Sequence, residues 1–414
     1  MLSPEFAAGR DSALSTLNSA LDYLESLQGS GIRPGLGRIR ALLGHLRRPE
    51  RAYRSIIVAG TNGKGSTSAT IASILEESGY KTGLYTSPHL VDIRERWRIG
   101  GRDLDEELLE QSVEQLRAAA EAIGITPTYF EALTVVAFIA FSLAKCDVAV
   151  LEVGMGGRLD ATNVVRPIAA VITPIGFDHM EYLGNTIPKI AAEKAGVIHR
   201  GAVVLTSNDD AVVLNILRRR AKKFDNRFIA VDGEHQTPLA GPFQRCNVAL
   251  AVSTAEELRG VLPKITPESI ERGVANTLWR GRLERMRVRD KTIWIDGCHN
   301  PHAIKAVIPF IRDRIETPRL LVFGIMGDKD IDAVTRDLFP LFDRVITTEP
   351  FPPRSADARA LAGAARAMNI GATALRVPHE AFSAAMRAPE HAIFIGGSLY
   401  LAGAAIEFFD SLSE

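Results

Sequence analysis

The run Gly60-Thr61-Asn62-Gly63-Lys64-Gly65-Ser66-Thr67 follows a short β-branched segment, Ser55 to Ala59, and leads into a helix-like stretch, Thr67 to Ser78, closed by Gly79. Glycines at such a turn let backbone amides converge on an anion. The helix N-terminus adds partial positive charge, and a lysine beside the turn reaches the outer phosphates. Strand, glycine turn, lysine and helix in that order predict a nucleoside-triphosphate site built from Gly60, Thr61, Asn62, Gly63, Lys64, Gly65 and Ser66. A plain glycine turn would explain the glycines but not Lys64. Two departures from the G-x-x-x-x-G-K-[ST] spacing matter: Val58 stands at the first glycine position, and Gly65 follows the lysine. The hydroxyl that ordinarily holds Mg²⁺ is therefore displaced, and either Ser66 or a neighbouring loop must supply a ligand.

Ligands of an open parallel sheet lie beyond the carboxyl ends of its strands. Three polar groups occupy such ends: Ser87 past the expected strand Thr82 to Thr86, Glu152 at the end of Asp147 to Val153, and Asp178-His179 beyond Ala169 to Ile175. Singly, each is ordinary, since a strand-end glutamate is often solvated and a lone histidine often structural. Together, the hydroxyl of Ser87, the carboxylate of Glu152 and the imidazole of His179 suit a divalent cation bridging phosphate and protein. Lys194, in the helix-like segment Ile190 to Gly196, reads from spacing alone as an exposed surface lysine.

The elements that must position these groups alternate strand and helix, as in a parallel sheet covered on its faces. Glu131 to Leu143 reads as a buried helix, and the strands around Val148 and Ala169 are apolar on both faces, as central strands are. The alternation breaks at Asn276 to Asp290, where Arg280, Arg282, Arg285, Arg287 and Arg289 leave little apolar periodicity. It restarts with Thr292 to Ile295, Leu320 to Phe323, Arg344 to Thr347 and Ala392 to Ile395. An α/β fold with two domains, 1–288 and 289–414, is expected: a phosphate-loop ATPase domain with a mainly parallel sheet and a smaller α/β domain.

Composition narrows the partners. With 49 basic against 49 acidic residues the chain has no overall charge with which to attract nucleic acid or an anionic membrane. The longest apolar run, Ala132 to Ala144, is too short to span a bilayer, and Met1 to Ser12 lacks a signal-type apolar core. A cytoplasmic protein is expected. Cys146, Cys246 and Cys298 are far apart and odd in number, which points to buried thiols rather than a disulfide or zinc framework.

The chain resembles the folylpolyglutamate synthase and bifunctional dihydrofolate synthase family of the Mur ligase superfamily. The resemblance is carried by VAGTNGKGST at 58–67, LYTSPHL at 84–90, ERWRIGG at 95–101, TYFEALT at 128–134 and LEVGMGGRLDATNVV at 151–165. It continues through DHMEYLGNT at 178–186, AAEKAGVI at 191–198, GRLE at 281–284, DGCHNPHA at 296–303, FGIMGDKD at 323–330 and GGSLYLAG at 396–403. It implies a C-terminal domain of dinucleotide-binding topology, an active site in the cleft between domains, and ATP-dependent joining of L-glutamate to the carboxylate of dihydropteroate, a tetrahydrofolate (poly)glutamate, or both. It also implies ATP on the glycine loop with Asn247, Arg282 and Asp296, and Mg²⁺ in two sites on Ser87, Glu152, His179 and a Lys194 carbamylated by CO₂. His299 and Ser398 are implied near the incoming glutamate, and Gly35, Leu36, Gly37, Arg38, Tyr129, Phe130, Glu131 and Asp160 near the pterin. Lys64, Lys194 and His299 are the implied catalytic residues.

Two other functions share part of these features. A ligase acting on peptidoglycan precursors would share the loop, Glu152 and Lys194, but would not be expected to carry TYFE and LDATN. A nucleic-acid-stimulated ATPase is suggested by Arg218 to Lys223 and by the arginines of His45 to Arg54, yet no aromatic residues interleave these runs to stack on bases. Small-molecule substrates, a monomer, and neither nucleic acid nor membrane as partner are expected.

Overall fold

Two mainly parallel sheets, each covered by helices on both faces, build the computed structural model, which describes residues 17–412 apart from Ile32. The N-terminal segment Met1 to Ser12 lies outside the described residues. The first sheet has eight strands: β1 (Arg54–Ala59), β2 (Thr82–Tyr85), β3 (Trp97–Ile99), β4 (Arg102–Asp103), β5 (Val148–Glu152), β6 (Ala169–Ile172), β7 (Val203–Thr206) and β8 (Phe228–Ala230). Their spatial order is β4-β3-β2-β5-β1-β6-β7-β8, and the antiparallel pairings are those of β3 with β2 and with β4. On β1, Ile56 and Val58 join one apolar cluster while Ile57 and Ala59 join the other, all four without exposed surface. Alternation with both faces apolar is what a sheet between two helical layers requires.

The helices Glu106–Ala122 and Tyr129–Leu143 cover one face, and Lys64–Glu77, Pro242–Leu258 and Pro267–Ala275 cover the other. The helix Tyr129–Leu143 starts at a capping box in which Thr128 and Glu131 satisfy each other's backbone amides. It is apolar nearly all round because it is buried. No described helix is long and apolar enough to cross a membrane.

The second sheet contains β9 (Glu284–Val288), β10 (Lys291–Ile295), β11 (Arg319–Phe323), β12 (Arg344–Thr347), β13 (Gly371–Ala374) and β14 (Ala392–Gly396), in the order β13-β12-β11-β14-β10-β9. The arginine-rich stretch is thus not an irregular break. β9 pairs antiparallel with β10 from Glu284↔Ile295 to Val288↔Lys291, so a division at residue 288 would cut a hairpin, and sheet membership changes ahead of Glu284. Arg285 and Arg287 point outward between the half-buried Met286 and the buried Val288, and two apolar residues were too few to make the period visible.

Helices Pro301–Arg314, Ile331–Leu338 and Ala358–Ala367 pack on one face of this sheet, and Pro378–Arg387 and Leu399–Asp410 on the other. β14 lies between β10 and β11, and the chain leaves it toward the opposite face from the one its neighbours feed. A crevice therefore opens at the carboxyl ends of these strands, where open α/β sheets take their ligands.

Candidate active site

The glycine loop is shaped by close approach. Gly63 has φ 85°, and a Cβ there would stand 2.3 Å from Asn247 Oδ1. The Thr61 amide donates to the Pro174 carbonyl at 2.9 Å and the Gly176 amide to the Thr61 hydroxyl at 3.0 Å, fastening the loop to the segment after β6. The helix begins at Lys64, whose Nζ donates to the Thr61 carbonyl at 3.0 Å. Gly65 has its own reason. The Trp279 ring lies 3.0 Å from where a Cβ would be, so the linker to the second sheet fills the space a Ser or Thr side chain would need.

Glu152 ends β5 inside the protein, and its Oε2 accepts the Ser87 amide at 3.1 Å, which ties the backbone of Ser87 to the carboxylate. Burial raises the Glu152 pKa, while the charge of Lys64 opposes that shift. His179 stands at a left-handed position, φ 49°, and burial pushes its pKa down to about 4. Lys194 corrects the expectation of a surface lysine: it is only 4% exposed, and its Nζ donates to the Gly60 carbonyl at 2.5 Å. Burial, then the nearby charge of Lys64, lowers its pKa to about 7. Among the described residues no ion-pair partner reaches Lys64, Glu152 or Lys194.

The second sheet closes the other side. Asp296, past β10, accepts the Leu283 amide on Oδ2 at 2.9 Å and the Cys298 amide on Oδ1 at 2.8 Å, which orders the turn carrying His299. Burial raises the Asp296 pKa, opposed by the facing Arg282. The Asn247 Nδ2 donates to Gln244 Oε1 at 2.9 Å at the start of the helix Pro242–Leu258. One cavity of about 440 Å³ is lined by Gly60 to Ser66, Ser87, Glu152, His179, Lys194, Asn247, Arg282, Asp296 and His299. Every residue expected at the nucleotide or the metal borders it.

A seam that the sequence did not disclose joins the two sides. Asn62 and Asn300 exchange amide hydrogen bonds at 3.2 and 3.0 Å, and Asn300 also donates to Asp178 Oδ2 at 3.2 Å. Lys329, in the loop after β11, donates to Asp178 Oδ1 at 2.9 Å, and His299 Nε2 stands 3.7 Å from Oδ2. Burial would raise the Asp178 pKa, but the proximity of His299 and the charge of Lys329 outweigh it and hold the carboxyl well below the usual range. The available signal was Asn300-Pro301, a helix N-cap followed by proline at the first helical position.

Comparison with known proteins agrees with this arrangement. Residues 58–237 match the Mur ligase middle domain and residues 281–399 the Mur ligase glutamate ligase domain. The dihydrofolate synthase/folylpolyglutamate synthase of Bacillus subtilis is 35% identical over 74% of this chain and 79% of its own length. The folylpolyglutamate synthase of Lacticaseibacillus casei is 34% identical over 89% of this chain and 92% of its own. The chain belongs to the folylpolyglutamate synthase/dihydrofolate synthase family of Mur ligases. The Mycobacterium tuberculosis folylpolyglutamate synthase complexed with ADP superposes with a TM-score of 0.87 at 31% identity, over 96% of this chain and 99% of that one. An Escherichia coli FolC in complex with DHPP and ADP gives 0.86 at 29% identity, over 96% and 98%.

The groups this family membership would place at the pterin do not border the cavity, and they divide by what holds them. Arg38, the second residue of the helix Gly37–His45, donates its Nε to Glu131 Oε2 at 3.0 Å, so the loop Gly35 to Arg38 and the start of Tyr129–Leu143 form one wall. Glu131 Oε1 is buried without a hydrogen-bond partner, an acceptor that an N–H-bearing ring can use. Phe130 packs against the loop after β5, its Cζ 2.4 Å from where a Cβ on Gly154 would stand. Asp160 is otherwise employed. Its oxygens accept the Met155 and Thr162 amides at 2.9 and 3.0 Å and the Thr162 hydroxyl at 2.6 Å, so it braces its own loop. Ser398 likewise caps the helix Leu399–Asp410, its Oγ accepting the Tyr400 amide at 3.0 Å. Cys146 and Cys298 are buried thiols as expected, whereas Cys246 is only half-buried.

Proposed function

We propose that this chain joins L-glutamate to the carboxylate of dihydropteroate, of a tetrahydrofolate (poly)glutamate, or of both, with ATP converted to ADP and phosphate. The observation that supports it most is the single cavity in which the glycine loop and Glu152 of the first sheet face Arg282, Asp296 and His299 of the second. A carboxylate is a poor acyl donor because oxide would have to leave. Its attack on the γ-phosphate gives an acyl phosphate, and the glutamate amine then displaces phosphate to form the amide. Lys64 and the amides of the glycine loop offset the charge that spreads over the transferring oxygens. Arg282 and Asn247 orient the nucleotide, His299 stands beside the incoming amine, and the Asn62–Asn300 contact keeps the cleft closed against water that would hydrolyse the acyl phosphate.

The donor set fits Mg²⁺. Among the described residues no three His, Cys, Asp or Glu converge as a protein cage, so a cation beside Glu152 would take most of its ligands from Ser87, phosphate oxygens and water, as Mg²⁺ does. When bound, it would neutralise charge on the phosphates. An ammonium at Lys194 would oppose that cation, and carbamylation by CO₂ replaces it with an anionic ligand; its burial and the absence of a carboxylate partner favour this assignment.

Heavy-oxygen labelling tests the reaction. With label in the donor carboxylate, one labelled oxygen should appear in the released phosphate. Its absence, with amide still formed, would exclude the acyl phosphate.

A further inference from the structure

The linker from the helix Pro267–Ala275 to β9 changes partners at one peptide bond, between Trp279 and Arg280. Before it, the contacts belong to the first sheet's unit. The Thr277 hydroxyl donates to the Gly273 carbonyl at 2.7 Å, and the Trp279 ring rests on Gly65 of the glycine loop with the Arg98 guanidinium 5.3 Å from its centre. After it, they belong to the second. Arg280 donates to Asp410 at 2.7 and 3.1 Å and through Nε to Glu284 Oε1 at 2.9 Å, and the Gly281 carbonyl accepts the Gly297 amide at 3.1 Å. Arg282, three residues past Trp279, already borders the nucleotide cavity.

Three observations set this ring apart from an ordinary linker side chain. Its Cζ2, Nε1 and Cε2 would stand 3.0, 3.0 and 3.1 Å from a Cβ on Gly65, so even a methyl group there would displace it. Its Nε1 is buried with no acceptor among the described residues, whereas a buried indole N–H ordinarily finds one. Leu278, the residue before it, is 81% exposed, so the linker tucks in the ring and leaves the aliphatic side chain in water. A second cavity, of about 380 Å³, borders Trp279, Arg98, Arg280 and Arg282, and it gives the ring room to shift when the Gly65 contact changes.

We propose that Trp279 is a positioning residue for phosphoryl transfer: seated on Gly65, it fixes the point where the second unit joins the glycine loop and so sets where Arg282 meets the nucleotide. The proposal rests on the ligase function above. Lys64 and the loop amides hold the phosphates without the ring, so its effect falls on the rate and not on nucleotide binding.

The test is a double-mutant cycle on Gly65→Ala and Trp279→Phe in the full chain, read by steady-state kinetics with ATP, glutamate and dihydropteroate or tetrahydrofolate. Gly65→Ala keeps the loop amide but pushes the ring away, and should lower kcat about tenfold with KM for ATP within about twofold of the parent. Trp279→Phe keeps a smaller ring in place and should stay within about twofold of the parent in both constants. In the double variant the smaller ring makes room for the methyl group, and kcat should return to within about threefold of the parent. Trp279→Ala removes the ring and should lower kcat about tenfold, again with little change in KM for ATP. Equal thermal unfolding midpoints check the fold, and if Trp279→Ala does not fold the cycle decides. A parental rate in Gly65→Ala, a double variant no faster than Gly65→Ala, or a KM for ATP that rises as kcat falls would overturn the positioning role while leaving the ligase function standing. Failure of the unaltered protein to use any pteridine would refute the ligase function itself, and the positioning role with it.

Discussion

The cavity floor and the seam beside it treat buried charge in opposite ways. On the floor, no ion-pair partner among the described residues reaches Lys64, Glu152 or Lys194, and burial drives Glu152 and Lys194 toward their neutral forms. At the seam, Asp178 is met by Lys329, Asn300 and His299 and stays ionised. An uncompensated buried charge costs the folded state, so on the floor a bound ligand's charge would supply the partner that the protein withholds. The compensated cluster ties the loop after β6 to Asn300 and Lys329 of the second sheet's loops.

The largest effect should come from the floor. Lys64→Ala should lower ATP turnover by about 10²–10³-fold with the fold intact, because the side chain makes only one bond, to a carbonyl of its own loop. Unchanged turnover would remove the glycine loop from the account. Lys194→Ala should lose most activity and regain part of it with a small added carboxylic acid, which supplies the missing anionic ligand. Wild-type rates in that variant would dismiss the carbamate.

The seam should respond in stability as well as rate. Lys329→Ala leaves Asp178 buried without its closest partner and should cost about 2 kcal/mol in denaturant unfolding, with a lower kcat from a looser cleft. Equal stability of the variant would mean that the seam holds nothing. Glu76 provides the smallest effect, as a half-buried acid remote from both regions. Burial raises its pKa from 4.5 to about 7, so the folded state resists its ionisation. Its contribution is most favourable below the unfolded value and is lost as pH rises toward 7. Glu76→Gln should therefore match the parent near pH 4 and exceed it by about 1 kcal/mol near pH 8, measured by thermal unfolding.

What could be read in advance follows from how local each feature is. The glycine loop and Lys64 lie within eight consecutive residues between a strand and a helix, and the paired central strands declared themselves by apolar runs. Lys194 could not be distinguished from a surface lysine by spacing, because its burial depends on the Gly60 loop, 134 residues away. The Asp178–Lys329 bond spans 151 residues and links loops with no shared pattern. β9 was hidden because its outward positions are arginines and its inward face offers only Met286 and Val288. The resemblance places Asp160 at the substrate, and its hydrogen bonds add a second task, bracing its own loop, that no motif announces. Motif position carries a residue to the right neighbourhood, and only its partners show whether it has an oxygen to spare.

The central claim is that one cavity couples ATP cleavage to amide formation between a pteridine carboxylate and glutamate. ADP release should be measured with glutamate and either dihydropteroate or tetrahydrofolate as donor. The account predicts release that requires both the donor and glutamate and matches the amide formed. ADP release that is indifferent to both, or that is stimulated by nucleic acid instead, would contradict it.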